Sequence, residues 1–384
     1  MSAEALPGLP ALVDAPPTDP HELLPTALRE PQRAAGWSVA QLSLLLYQAR
    51  RAGLLGRLAD RLLAVPGAVW PAALLAHFEA ARRVSRAQQA EIQRETAYIM
   101  SALQGVDAPV VLLKGAAYVM AGLPAATGRV FGDIDLMVPR QALETAEARL
   151  AAAGWRGTHD SAYDQRYYRQ WMHELPPMQH QQRHTALDVH HAIVPLTARL
   201  KPDAASMFAG AVALSAHPNL YVLSPEDMVL HSMTHLFMND DTNFALRDLS
   251  DLDLLLRHFA QAEVAFWPRL VERARAQGLG RPLYHAVRSL LHLLATPVPP
   301  QVISSIEQLA PPTPLRGVMN AMWSRVMRSP HPSTARFGAN AALALLYLRG
   351  HWLRMPPLML ARHLATKALH RQEAPTDKSE QTVG

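Results

Sequence analysis

Apolar residues recur at helical spacing over residues 37–63 (Leu42, Leu45, Leu46, then Leu54, Leu55, Leu58, Leu62), and Gly53 and Gly56 break the run into two predicted helices. A second long helical stretch follows over residues 71–103. Residues 1–35 are rich in proline and lack sustained periodicity, which predicts a flexible, loosely docked arm. At Ala108 the period changes: Val110-Val111-Leu112-Leu113, bounded by Pro109 and Gly115, reads as a short buried strand. A short helix (116–121), a Gly/Pro-rich loop (122–128), a strand (133–138) and a helix (140–153) are predicted next. Residues 165–169 and 186–193 are further strand candidates, and the stretch between them, with Pro176 and Pro177, reads as loop.

Ser224-Pro225-Glu226-Asp227 predicts a helix start, because serine caps, proline suits the first helical position and the acids favour the positive end of the dipole. From there the pattern is helical throughout, with one apolar stripe through Leu230, Met233, Leu236 and Phe237 and another through Leu246, Leu249, Leu252 and Leu256. Residues 371–384 are polar and are expected to be disordered. The chain therefore divides into an arm (1–35), a helical segment (36–105), a core (106–222), a helical region (223–370) and a tail (371–384).

A length of 384 residues and an apolar fraction of 49% fit a globular protein of two or three structural units. The absence of cysteine excludes disulfides, thiolate nucleophiles and Cys-ligated zinc. No run of about 18 apolar residues occurs, and the beginning of the chain lacks a basic-then-apolar signal, so a cytoplasmic location is expected. The net charge of +5 allows an anionic partner without identifying one.

The chemistry concentrates in three segments: Lys114-Gly115-Ala116, then Arg129 to Leu136, then Leu187-Asp188-Val189-His190. On a strand, Asp133 and Asp135 project to one face while Ile134 and Leu136 pack on the other. Two converging anions need a cation, which a Mg²⁺ site shared with substrate phosphates supplies. Asp188 alternates in the same way and offers a third ligand, and His190 shares its face. A chain this long has roughly a 20% chance of one such acid-apolar-acid-apolar match, so context decides. The second match, Asp251-Leu252-Asp253-Leu254, lies in leucines at helical spacing, where residues two apart diverge; those acids read as helix-surface charges. Gly115 and Ala116 suit close approach of a phosphate to backbone N–H groups at a helix start. Lys114 and Arg129 suit charge neutralisation at phosphate, although each also fits a solvated position. His231 and His235 fall on one helical face, but no HExxH motif accompanies them. Residues 346–371 interleave apolar and basic positions, as a final helix with a basic outer face would.

Taken together, these segments resemble the nucleotidyltransferase superfamily, and within it a bacterial group of uncharacterised nucleotidyltransferase-like proteins. The likeness rests on Leu112-Leu113-Lys114-Gly115, on Arg129 to Val138, on Leu187-Asp188-Val189-His190-His191 and on Leu223-Ser224-Pro225-Glu226-Asp227, with His231, His235, Arg247 and Asp248 in matching places. It spans roughly residues 37–294. It departs at Gly115-Ala116, where the superfamily usually has Gly-Gly or Gly-Ser, and at His191, which replaces an aromatic residue.

The resemblance implies an α+β core with a small mixed sheet, flanked by N-terminal and C-terminal helical regions. It also implies transfer of a nucleoside monophosphate from an NTP to an acceptor hydroxyl, with Mg²⁺ or Mn²⁺ on Asp133, Asp135 and Asp188. Lys114, Gly115, Ala116, Arg129, Gly132 and His190 would then contact the nucleotide. The frequent association of that group with surface-polysaccharide or peptide-product pathways points to a small acceptor. Two other readings remain: a nucleotide-binding or regulatory protein without turnover, and an RNA-binding module. Nucleic acid is the less favoured partner, because no aromatics interleave along a basic strand.

Overall fold

The computed structural model describes residues 17–356 except 159–160, 216, 218 and 239–241. Four helices lead: α1 (Pro20–Arg29), α2 (Val39–Arg51), α3 (Leu55–Leu63) and α4 (Ala72–Ala102). Helix α1 corrects part of the expected arm. Asp19 caps it by accepting the His21 N–H at 2.9 Å, and Leu23, Leu24, Ala27 and Leu28 are all buried. Proline-rich composition hid a helix whose stability comes from packing. Residues 1–16 of the arm lie outside the described residues. Gly53, at φ +67°, separates α2 from α3 as expected, whereas Gly56 lies inside α3. Its missing side chain serves packing: a Cβ there would sit 2.5 Å from the carbonyl oxygen of Gly128.

The core follows as β1 (Val110–Leu112), α5 (Lys114–Met120), β2 (Ile134–Met137), α6 (Leu143–Ala152), β3 (Trp155–Gly157), α7 (Ala162–Trp171), β4 (Met178–His180), β5 (Ala186–His190), α8 (Ala204–Ala209), β6 (Val212–Ala213) and β7 (Leu220–Val222). The strands form one mixed sheet in the order β3-β4-β5-β2-β1-β7-β6. Central β2 runs parallel to β5 and antiparallel to β1, and β1 runs parallel to β7. Every residue of β1 and β2 is buried, as suits strands covered on both faces.

Two sequence expectations are corrected here. Residues 165–169 are helical, within α7, because their side chains pair at i,i+4: Arg169 Nε donates to Gln165 Oε1 at 3.1 Å, and Tyr167 meets Trp171 edge-on. The guanidinium of Arg169 also forks onto Glu147 of α6 at 2.7 and 2.8 Å. The stretch read as loop around Pro176 and Pro177 contains β4, whose Met178 and His180 are buried beside β5.

Helices α9 (Pro225–Met238), α10 (Ala245–Ala262), α11 (Phe266–Ala276), α12 (Gly280–Leu294), α13 (Pro300–Glu307), α14 (Thr313–Val326) and α15 (Ala339–Arg354) complete the described chain, all-helical as the pattern predicts. Ser224 Oγ accepts the Asp227 N–H at 3.2 Å, and Arg269 and Arg273 of α11 pair with Glu226 and Asp227. The second acid-apolar-acid match lies on α10, as expected, but its acids are not surface charges. Asp251 is 2% exposed and Asp253 5% exposed, and each is buried against arginine. Among the described residues no helix is long and apolar enough to cross a membrane. The basic stretch at 346–371 starts in α15; its residues from 357 onward, and the tail, lie outside the described residues.

Candidate active site at the β2–β5 pair

A cavity of about 380 Å³ opens between the sheet and helices α9 and α10. Its centre is fixed by backbone register. Strands β2 and β5 pair in parallel with Asp135 opposite Asp188, so both side chains leave the sheet on one face. At the end of β1 the Leu113 N–H donates to the Asp135 carbonyl at 3.0 Å. The chain then turns through Lys114 at φ +43°, a left-handed conformation that costs a non-glycine residue about 1–2 kcal/mol. This turn starts α5 and brings Lys114 Nζ to 2.7 Å from Asp135 Oδ1.

The three acids differ in charge state because their surroundings differ. Burial pushes the Asp135 carboxyl up, but the Lys114 ammonium and a hydrogen bond from His190 outweigh it and hold the group well below the usual carboxylate range. Asp188 is pushed up to about 7 by burial, with the charges of Asp135 and Glu174 adding to the effect. Asp133, at the exposed edge of the cavity, is raised first by the charge of Asp135 and then by burial. One ionised carboxylate flanked by two that resist ionisation is a site short of positive charge. Oxygen donors of this kind fit Mg²⁺ or Mn²⁺, and Asp135, Asp188 and His190 offer ligand atoms within 4.8 Å of one another.

The imidazoles divide into two kinds. His190 is buried with both ring nitrogens facing acids: Nε2 donates to Asp135 Oδ1 at 3.0 Å, and Nδ1 lies 3.2 Å from Glu174 Oε2. Burial alone would lower its pKa, but these carboxylates raise it. His173 is held well below its ordinary value by burial and by His190, and His235 by the Lys114 charge and burial; both line the cavity as neutral rings. His231 is buried behind them and pushed down to about 3 by burial and by Lys114.

Arg129 is a further cation of the site, beside Lys114, Arg247 and Arg354. Its Nε donates to Asp251 Oδ2 at 2.8 Å, and its guanidinium lies 5.7 Å from the Tyr118 ring centroid and 5.2 Å from that of Phe131. Gly115 makes room for this arrangement, since a Cβ there would overlap Arg129 Nη1 and lie 2.6 Å from Phe131 Cδ1. On the far side of Asp251, Arg57 Nη1 approaches Oδ1 at 2.7 Å.

Of the residues expected from sequence, Lys114, Arg129, Asp133, Asp135, Asp188 and His190 line this one cavity. Gly115 and Ala116 are buried and do not line it, and Gly132 is exposed with open space where a side chain would point. Sequence reasoning missed Glu174 and His173, which sit in a stretch with no usable spacing, and Tyr118, whose hydroxyl lies 2.7 Å from Ser232 Oγ. It also missed the role of Asp251. A partial signal for that existed, because Leu254 and Leu255 fall outside the stripe of Leu246, Leu249, Leu252 and Leu256, so apolar positions extend beyond one face of α10.

The sequence model of a family described as "Uncharacterised nucleotidyltransferase" matches residues 38–295, more than half of the chain and a span that holds the whole sheet and helices α9 to α12. No curated protein and no solved structure matches the chain.

Proposed function

We propose, from the premise that the chain belongs to the family of uncharacterised nucleotidyltransferases, that it moves a nucleoside monophosphate from an NTP to the hydroxyl of a small acceptor with the help of Mg²⁺ or Mn²⁺. The observation that carries this reading is the in-register pair of Asp135 and Asp188 on parallel strands, with Asp133 one residue ahead of β2, on a cavity whose lining also includes Lys114 and Arg129.

Asp133, Asp135 and Asp188 would hold the divalent ion, which when bound neutralises phosphate oxygens and favours in-line displacement at the α-phosphorus. Lys114 balances Asp135 in the free protein; once that carboxylate has another counter-charge, the ammonium is available to the triphosphate. Arg129, oriented by Asp251, directs its remaining N–H groups at the same anion. Asp188, in register with Asp135 on the same face of the sheet, is the group suited to accept the acceptor's hydroxyl proton. The acceptor oxygen bonds to the α-phosphorus, the bond to pyrophosphate breaks, and the proton passes to Asp188. His190 keeps Asp135 ionised and in place.

One observation favours a second reading. The Lys114–Asp135 pair at 2.7 Å already satisfies a carboxylate that catalysis needs for metal, which would suit a protein that binds nucleotide without turnover. Incubation with each α-labelled NTP, Mg²⁺ or Mn²⁺ and a cell extract separates the two. Transfer predicts label on an acceptor with pyrophosphate release, and nucleotide binding with neither supports the second reading. Absence of any nucleotide binding sinks both.

A further inference from the structure

The other face of His190 is built as carefully as the one that meets Asp135. Residues 173–175 run antiparallel along the end of β5: the His191 N–H donates to the His173 carbonyl at 2.8 Å, the Leu175 N–H donates to the Val189 carbonyl at 2.9 Å, and Glu174 bridges His190. These backbone bonds fix where the side chains start. Glu174 Oε2 lies 3.2 Å from His190 Nδ1 and 3.8 Å from His173 Nε2, and the two imidazole centroids are 5.2 Å apart. The three residues each present a ligand atom within 4.8 Å of the others, and all three line the cavity.

We propose that His173, Glu174 and His190 form a second cation site, for a first-row transition ion of which Zn²⁺ is the best chemical fit. Two imidazoles and one carboxylate are donors for zinc and its neighbours, in contrast to the all-carboxylate set that suits Mg²⁺. Three protein ligands would leave a fourth position for a molecule in the cavity that all three residues line. The second requirement of such a site is an acid that fixes the ligating histidine through its other nitrogen. Asp135 meets it, accepting from His190 Nε2 at 3.0 Å and so directing Nδ1 towards Glu174. The site stands on this geometry and does not depend on the transfer reaction.

Titration of the chelator-stripped full chain with Co²⁺, followed by visible ligand-field absorption and by displacement with Zn²⁺, tests the site. In excess Mg²⁺, which occupies the carboxylate site, one equivalent should bind. Glu174→Gln and His173→Ala should each weaken Co²⁺ affinity at least about tenfold, while Asp188→Asn leaves it unchanged. Glu174→Gln is nearly isosteric and leaves the backbone bridge intact, so it reads the site even if His173→Ala alters the fold. Failure of the parent to bind Co²⁺ overturns the proposal. So does binding that is lost in Asp188→Asn and kept in Glu174→Gln, because the ion would then sit on the β2–β5 carboxylates. Intact Co²⁺ binding without nucleotidyl transfer would count against the proposed function and not against this site.

Discussion

Arg129 Nε donates to Asp251 Oδ2 at 2.8 Å, and the other oxygen of that carboxylate lies 2.7 Å from Arg57 Nη1, so one buried acid on α10 joins a cation of the cavity to one on α3. Both guanidiniums are almost fully enclosed, with side chains 10% and 3% exposed. Asp248 lies 3.9 Å from Arg129 and already pairs with Arg247 at 2.8 Å, so it compensates Arg129 only in part. Removing one partner from such a group leaves uncompensated buried charge. Asp251→Ala is therefore expected to lose about 3–5 kcal/mol of stability in urea unfolding, as breaking a buried pair does. A loss within about 0.5 kcal/mol, typical of a surface substitution, would remove the network from the account.

Gly115 and Gly132 make a matched comparison. A methyl group at Gly115 overlaps Arg129 and Phe131, so Gly115→Ala should cost about 1–3 kcal/mol and, by displacing Arg129, weaken NTP binding. Gly132 has open space where its Cβ would be, and Gly132→Ala should leave both properties unchanged. Thermal melts and nucleotide titration of the two variants check this; equal behaviour would show that Arg129 does not depend on the floor beneath it.

Asp188 gives the metal-free protein a pH dependence of definite sign. Its folded-state pKa is raised from 3.8 to about 7, so the folded chain retains a proton that the unfolded chain has released. The stability this supplies is complete below the unfolded value and is lost as pH rises towards and through about 7. Asp188→Asn should therefore gain on the parent between about pH 5 and pH 8 in chelator, in a series of melting temperatures. Added Mg²⁺ should stabilise the parent more at the alkaline end, where no proton competes for the carboxylate. An equal Mg²⁺ effect at both ends would count against Asp188 as a ligand.

The parts of the site that were legible in the sequence are those set by local pattern. Asp135 and Asp188 sit in short apolar strands whose alternation fixes which face they take, Asp133 directly precedes the first of these, and Ser224 caps α9 by a local rule. Glu174 was not legible, because its place depends on backbone pairing with β5, a long-range contact with no periodicity of its own. The β-propensity of Tyr167 and Tyr168 favours a strand over 165–169, but i,i+4 contacts with Trp171 and from Arg169 to Gln165 override it. At Asp251 the helix was readable and the divergence of its two acids followed from geometry, but helical spacing alone does not say what a side chain meets.

The most direct measurement is nucleotidyl transfer by Asp133→Asn, read beside its metal-free stability. Asp133 is raised by the charge of Asp135, so replacing it with a neutral residue relieves repulsion and should leave stability unchanged or slightly higher. Transfer should fall at least about a hundredfold, since a lost ligand at a phosphoryl centre sacrifices several kcal/mol of transition-state stabilisation, and Mg²⁺-dependent NTP binding should weaken with it. A folded Asp133→Asn that binds Mg²⁺-NTP and transfers as the parent does would contradict the assignment of the β2–β5 carboxylates as the catalytic centre.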